Sequence, residues 1–232
     1  CLSFELAGVS PLSSRGPMTV STLERGLAGV DCEVRFDNLT RQLYATDASI
    51  YQIEPLGVAF PRNAAQAAAV IRSAAAAGVP ITPRGAGSGL VGGAIGDGLI
   101  VEFARHNRQI AGLDLERPPV QVGAGVVLDQ LNNFLRPHGF CFGPDVATSS
   151  RATLGGMIAS NSSGARTPVY GVTADHVLSL ELVLSDGTLA ITGRDSDAMS
   201  AQRDAVRAAV RACGPEIAAR MPGGLLKRWP GY

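Results

Sequence analysis

The sequence predicts a globular fold that mixes α-helices and β-strands around two long loops of small residues. Apolar residues make up 46% of the 232 residues and charged residues 17%, a balance typical of a chain with a buried core. Stretches with helical apolar spacing alternate with short β-rich runs. The loops at 83–93 and 143–164 consist mostly of Gly, Ala, Ser and Thr, and a core alone does not need loops of that length. We therefore expect the loops to contact a large ligand.

The first half of the chain follows the order of a β-α-β unit. Asn63 is the expected N-cap of its main helix, and Gly78 is the expected C-terminal stop. Ser21 or Thr22 is expected to cap a shorter helix before it. In chain order, the expected elements are a helix at 20–27, an irregular arm at 41–51, a strand at 56–60, a helix at 64–77, and strands at 81–82 and 99–103.

The second half is expected to add two hairpins and two helices, and residues 1–17, rich in Ser and Pro, are expected to be loose. In the first of these helices, the residues expected to face inward are Val127, Leu128, Leu131, Phe134 and Leu135. In the last helix they are Val206, Ala209 and Val210. The expected elements are paired strands at 109–115 and 120–125 across a turn at 116–119, a helix at 126–135, a buried strand at 177–184 with a partner at 189–192, and a helix at about 198–212.

Charge and composition exclude several classes of function. Twenty basic residues balance twenty acidic ones, so neither nucleic acid nor an anionic membrane is an expected partner. Lys227 is the only lysine in the chain, which excludes a Walker-type phosphate loop. The four cysteines form no C-x-x-C pair, so we expect neither a metal site nor an iron–sulfur site. We expect the thiols to be reduced and the location to be cytoplasmic. No apolar run of about 18 residues and no signal peptide are visible.

The first loop carries three alternating glycines, Gly85, Gly87 and Gly89. Because no Cβ blocks the approach, their backbone N–H groups can converge on a pyrophosphate without any lysine. The dinucleotide fingerprint G-x-G-x-x-G is broken, since Leu90 stands at its third glycine and no helix follows at once. A purely structural turn is the alternative interpretation.

The second loop places Thr153 and Asn161 among Gly155, Gly156 and Gly164. A hydroxyl and an amide among residues this small suit the edge of a ring system and a phosphate. Either polar residue alone would more often be a satisfied turn residue, so the hypothesis depends on the whole run.

Taken together, these motifs resemble those of a known family. The segments P-R-G-A-G-S-G-L, P-D-V, T-L-G-G, N-S-S-G, Y-G-V-T and L-S-L-E-L-V-L-S-D-G occur in order and with similar spacing. They resemble the FAD-binding domain of the p-cresol methylhydroxylase and vanillyl-alcohol oxidase superfamily, over about residues 40–195. Within it, the branch of D-lactate dehydrogenases, glycolate oxidase flavin subunits and D-2-hydroxyglutarate dehydrogenases is most similar. The resemblance implies an α+β fold of two subdomains with FAD between them.

The resemblance also implies roles for individual residues. FAD is expected to be bound non-covalently, because Ser88 stands where covalent members carry a flavin-linking His. Asp145 is followed by Val146 where the branch usually has P-D-P, so Asp145 is interpreted as a turn former. The pyrophosphate is expected at Arg84, Gly85, Ala86, Gly87, Ser88 and Gly89; the flavin and the rest of the cofactor at Pro144, Thr148, Thr153, Gly156, Ala159, Asn161 and Gly164; and the adenine near the backbone of Val177.

The implied activity is oxidation of a D-2-hydroxy acid by hydride transfer to flavin N5. The expected organisation is an arm with a short helix (1–40), the FAD-binding domain (41–195, with subdomains at about 41–105 and 106–195), and a helix with a linker (196–232). Because the sequence lacks an initial Met, it is expected to be a fragment or a processed product. A substrate domain that binds the hydroxy acid is expected beyond its end, and the electron acceptor is left open.

No catalytic residue is nominated from the sequence. His106, His138 and His176 are interpreted as surface or loop residues, and Arg151 and Arg166 either attract a carboxylate or are solvated loop charges. Two alternatives to the dehydrogenase stay open. One is a flavoenzyme similar to the UDP-N-acetylenolpyruvoylglucosamine reductases, which share this fold. The other is a non-catalytic flavin-binding subunit that needs a partner chain.

Overall fold

A computed structural model describes residues 19–112, 120–193 and 198–221. Within these ranges, helices pack on one four-stranded sheet and two two-stranded sheets. The helices are α1 (Val20–Leu27), α2 (Asn38–Tyr44), α3 (Ala64–Ala76), α4 (Leu128–Leu135), α5 (Leu154–Ala159), α6 (Thr167–Tyr170) and α7 (Ser200–Arg220). The strands are β1 (Glu33–Arg35), β2 (Gly57–Phe60), β3 (Ile81–Arg84), β4 (Leu99–Glu102), β5 (Ile110–Ala111), β6 (Gln121–Val122), β7 (Ser179–Val183) and β8 (Leu189–Gly193).

The four-stranded sheet has the order β1-β2-β4-β3. Its last three strands are parallel, and β1 is antiparallel to β2. Strands β2 and β4 are buried along their whole length, as expected for interior strands of a parallel sheet. Helix α3 is the crossover from β2 to β3. Asn63 Oδ1 accepts the Gln66 N–H at its start, and Gly78 adopts a φ of +69° just after its end, so both predicted signals are confirmed.

Two large apolar cores and one small apolar cluster, with no shared members, support the sheets within the described residues. The first core packs α1 and α3 against the parallel strands through residues such as Leu23, Val70 and Leu99. The second core joins α4 and α5 through residues such as Leu131 and Met157, with β5 and β6 packed against it. Burying one aliphatic side chain of this kind contributes about 1.5–3 kcal/mol. This arrangement agrees with the α+β, two-subdomain fold that the sequence predicts.

The expectation of an irregular arm at 41–51 is wrong for residues 41–44, because these residues belong to α2. Asp37 caps this helix: its Oδ1 accepts the Thr40 N–H at 2.9 Å. The predicted domain boundary at residue 41 therefore falls inside a helix, and β1 before it pairs with the first sheet. Helix α1 has its predicted bounds, but Thr19 is its N-cap instead of Ser21 or Thr22.

Three expectations of burial are also wrong. Strand β7 is half-exposed, because its hairpin with β8 is a two-stranded sheet packed against α3. Phe134 lies at the edge of the buried stripe of α4, is 37% exposed, and has its ring 6.4 Å from that of His138. Helix α7 runs on through Pro215 to Arg220, and Val206 and Val210, expected to face inward, are 63% and 55% exposed.

The pairing of β5 with β6 is confirmed, while the turn expected at 116–119 lies outside the described residues, as do residues 1–17 and the end of the chain. Among the helices that the structure describes, none has the length and apolar character needed to cross a membrane.

Candidate functional site

A cleft of about 420 Å³ opens beside the first loop, which leaves the carboxyl end of β3. Ligands commonly bind outside the carboxyl ends of parallel strands. Three segments line the cleft: α2 with the arm that follows it, the first loop, and the start of the second loop. The lining residues are Leu43, Thr46, Asp47, Ala48, Arg84, Ala86, Gly87, Ser88, Leu90, Thr148 and Arg151.

The backbone amides of the first loop are available to a ligand. Among the hydrogen bonds that join described residues, none is donated by a backbone N–H of residues 85–93. Backbone donors need an acceptor, and because no described residue supplies one here, water or a ligand can do so. A Cβ built on Gly89 or Gly93 would meet no atom within 4 Å, so the surface beside these residues is open. A run of free amides beside a cleft suits an anion with several oxygen atoms.

The guanidinium of Arg84 joins the start of this loop to the residue after its end and to the arm that follows α2. Its Nη1 donates to the Ala94 carbonyl at 3.0 Å and to the Tyr44 carbonyl at 3.4 Å, and its Nη2 donates to the Thr46 carbonyl at 2.9 Å. The group also lies over the ring of Tyr44, 5.1 Å from the centroid. Burial lowers the pKa of Arg84, and the neighbouring Tyr44 and Asp47 oppose that shift. The structure thus gives Arg84 a positioning role, and direct contact with a cofactor stays a prediction.

Asp47 fixes the arm to the far end of the same loop. Its Oδ1 accepts the Ser49 N–H at 2.8 Å and its Oδ2 accepts the Ala94 N–H at 3.3 Å. Burial acts to raise the pKa of Asp47, but the hydrogen bonds from Ser49 and Ala94 and the charge of Arg84 bring it below its ordinary value. The Ala48 N–H also donates to the Gly87 carbonyl at 2.9 Å. The arm and loop therefore form one hydrogen-bonded unit.

Sequence reasoning missed the arm as part of the site, and with it the lining residues Leu43, Thr46, Asp47 and Ala48. The local signal was the turn in which the Asp47 carboxylate accepts the amide two residues later. That signal predicts a turn, but it does not predict the loop against which the turn packs.

Two glycines of the first loop are required by their surroundings. Gly87 has a φ of +65°, and a Cβ there would lie 2.8 Å from Arg84 Nη2. A Cβ on Gly85 would overlap the hydroxyl of Thr153, which is buried at the start of α5. The two loops therefore touch directly at Gly85 and Thr153, as a shared site requires.

The second loop is bonded within itself and to its neighbours. Asn161 adopts a φ of +43°, and its Oδ1 accepts the Ala174 N–H at 3.0 Å. The Asp145 carboxylate accepts the Arg166 N–H at 3.2 Å and pairs with Arg166 Nε at 3.4 Å. Gly164 packs against Asp145 so closely that a Cβ would overlap its carboxylate. Asp145 thus links two parts of the loop, beyond forming a turn.

The structure brings together about half of the predicted site residues. Those that line the cleft are Arg84, Ala86, Gly87, Ser88 and Thr148, and Gly85 and Thr153 adjoin them. The others, Gly89, Pro144, Gly156, Ala159, Asn161, Gly164 and Val177, do not line it, and their contact with a cofactor stays a prediction. The described histidines do not line it either; His176 Nε2 lies 2.7 Å from the Tyr170 carbonyl.

Comparison with solved structures identifies the class of fold. The xylooligosaccharide oxidase from Myceliophthora thermophila matches with a TM-score of 0.67 over 76% of this chain and 38% of that chain, at 23% sequence identity. At this identity the likeness concerns the fold alone, which is the FAD-binding fold of the p-cresol methylhydroxylase type. The sequence profile of the FAD binding domain matches residues 55–193. The chain belongs to this family, and the predicted cofactor, FAD, is confirmed.

Curated relatives are similar over more than half of the chain. The D-2-hydroxyglutarate dehydrogenase of Pantoea ananatis is 47% identical over 148 residues, which cover 62% of this chain and 14% of that protein. The enzyme of the same name from Escherichia coli is 43% identical over 169 residues, which cover 72% of this chain and 16% of that protein. The chain therefore spans about one seventh of the length of these relatives.

Proposed function

We propose that this chain is the FAD-binding part of a flavin-dependent dehydrogenase that oxidises a D-2-hydroxy acid. The observation that carries the proposal is the 47% identity with a D-2-hydroxyglutarate dehydrogenase over 148 residues. Identity at this level extends the likeness beyond the fold. The free amides and the open cleft support the assignment, because they fit a cofactor that contains a pyrophosphate.

In the proposed site, the amides of the first loop bind the pyrophosphate, with Arg84 and Asp47 holding the loop in place. Thr148 and Thr153 lie next to it on the second loop and offer hydroxyl groups to the remainder of the cofactor. The other residues that we assign to the cofactor are Ser88, Gly89, Pro144, Gly156, Ala159, Asn161, Gly164 and Val177. Ser88 has neither the ring nitrogen of His nor a thiolate, so the FAD is held without a covalent bond.

The chain's share of the reaction is to bind and orient. FAD, when bound, would supply the two-electron acceptor needed to oxidise the hydroxyl group at C2 of the substrate to a ketone. We call the hydrogen bonds that Arg84 and Asp47 make around Ala94 the clasp. The clasp keeps the loop amides in position before the cofactor binds, which reduces the entropy cost of ordering the loop.

The names of the relatives favour the dehydrogenase over the two alternatives, the reductase of the UDP-N-acetylenolpyruvoylglucosamine type and the non-catalytic subunit. Lactate, glycolate and 2-hydroxyglutarate all stay possible substrates within the proposal, and the cytoplasmic location stays a prediction.

Two experiments test the proposal. Acid precipitation of the purified protein should release all of its flavin as free FAD, and flavin that stays with the pellet would contradict the non-covalent assignment. The natural protein that carries this domain should then be mixed anaerobically with D-2-hydroxyglutarate, D-lactate or glycolate. At least one should bleach the long-wavelength flavin band, and L-2-hydroxyglutarate, the control, should not. Failure of all three to bleach it would overturn the substrate class.

A further inference from the structure

We infer, on the basis of the proposed FAD site, that Arg151 is the cation that neutralises the pyrophosphate of the cofactor. The inference starts from the charges that line the cleft. Three lining residues are ionised near neutral pH: Asp47, Arg84 and Arg151. Asp47 and Arg84 carry opposite charges and belong to the same clasp around Ala94. Their charges offset each other, so Arg151 decides the net charge of the cleft.

A pyrophosphate group brings negative charge that neutral amides do not cancel. Arg84 is poorly placed to respond, because its guanidinium already donates to three carbonyl groups. None of the lining residues is a lysine, so no ammonium group takes this role among them. Arg151 is therefore the lining cation whose guanidinium donors are all available, since none of them has an acceptor among the described residues.

The local structure leaves Arg151 accessible. Its backbone N–H donates to the Thr148 carbonyl at 2.8 Å, which fixes the turn that carries it on the second-loop side of the cleft. Its side chain is exposed and, among the described residues, makes no ion pair or hydrogen bond. Arg166, which follows this loop, pairs with Asp145 instead. A guanidinium can contact two phosphate oxygens at once, with geometry that an ammonium lacks.

The test compares FAD binding by the apo-forms of the wild type, Arg151→Gln, Arg151→Lys and Arg108→Gln. Arg108 is an exposed arginine that does not line the cleft, so its variant is the matched control. We expect Arg151→Gln to raise the Kd for FAD about tenfold and Arg151→Lys about threefold, with the control near the wild type. The affinity of Arg151→Gln should also depend less on salt than that of the wild type.

Inorganic pyrophosphate provides a readout that involves no flavin chemistry. It should compete with FAD for the wild type and compete more weakly for Arg151→Gln. Since Arg151 is exposed, all four proteins should share one thermal unfolding transition. If Arg151→Gln bound FAD and pyrophosphate as the wild type does, with the same salt dependence, the role of Arg151 would be refuted. If the wild type itself failed to bind FAD, the proposed cofactor site would fail instead.

Discussion

The two loops of the site are similar in composition and different in bonding. In the first loop, the amides of 85–93 have no acceptor among the described residues, and the side chains of Arg84 and Asp47 hold the loop in place. In the second loop, the amides of residues 160–162 donate to carbonyls of α5. Small residues therefore serve two purposes: they expose amides in the first loop and permit close packing in the second. In the second, a Cβ on Gly155 would lie 2.8 Å from the Cβ of Ala124.

The largest expected effect comes from removing the clasp of the first loop. Arg84→Met keeps most of the side-chain volume but loses the hydrogen bonds to the carbonyls of Ala94 and Thr46. We expect the free energy of unfolding of the apo-protein to fall by about 2 kcal/mol, because the lost bonds involve a charged donor. Urea unfolding measures this change in the free energy of unfolding. The control is Arg108→Met, the same substitution at an exposed arginine. Unchanged stability with weakened FAD binding would instead identify Arg84 as a direct ligand.

Gly87→Val should weaken FAD binding at least tenfold, or about 1.4 kcal/mol. The φ of +65° disfavours a β-branched residue, and the new Cβ would lie 2.8 Å from Arg84 Nη2. The matched control is Gly93→Ala, whose Cβ would meet no atom within 4 Å and which should bind within about threefold of the wild type. Titration of the apo-protein with FAD decides between them. Normal affinity in Gly87→Val would place the pyrophosphate elsewhere.

Asp47→Asn should lower the free energy of unfolding by about 1 kcal/mol near neutral pH, since it weakens the acceptors for the amides of Ser49 and Ala94. The folded-state pKa of Asp47 lies below its ordinary value, so its stabilisation is present above about pH 4 and is lost as the pH falls through the folded pKa. The difference from the wild type should therefore be constant near neutral pH and shrink in acid. A difference that persisted unchanged to low pH would show that the carboxylate charge contributes nothing.

The smallest effect is expected at His176, beyond the second loop. His176 is exposed, its Nε2 lies 2.7 Å from the Tyr170 carbonyl, and its ring lies 5.3 Å from that of Phe142. These contacts are structural, so His176→Ala should leave the Kd for FAD within about threefold of the wild type. The same titration measures it. A much larger loss, with the unfolding transition unchanged, would make His176 a cofactor ligand.

Local signals explain what the sequence could predict. Helix α3 has nearly its predicted bounds, because Asn63 and Gly78 act on the residues next to them. The first loop was identified because glycine leaves a backbone open whatever surrounds it. The fold and the cofactor followed from motifs that extend over most of the chain.

The parts that could not be predicted depend on residues distant in the sequence. Asp47 and Ala94 meet across 47 positions, and Arg84 reaches the Thr46 carbonyl across 38. Nothing local to the arm indicates these partners. The exposure of Val206 on α7 is a similar case, because helical spacing gives a face but does not provide an element to cover it.

Amide hydrogen exchange tests the central claim most directly, namely that the free amides of the first loop bind the cofactor. In the apo-protein, the amides of 85–93 should exchange quickly, because they have no acceptor among the described residues, while those of 160–162 should already be protected. Saturation with FAD should slow exchange within 85–93, most strongly at 85–89, and change 160–162 much less. Unchanged exchange throughout 85–93 at full FAD occupancy would contradict the claim.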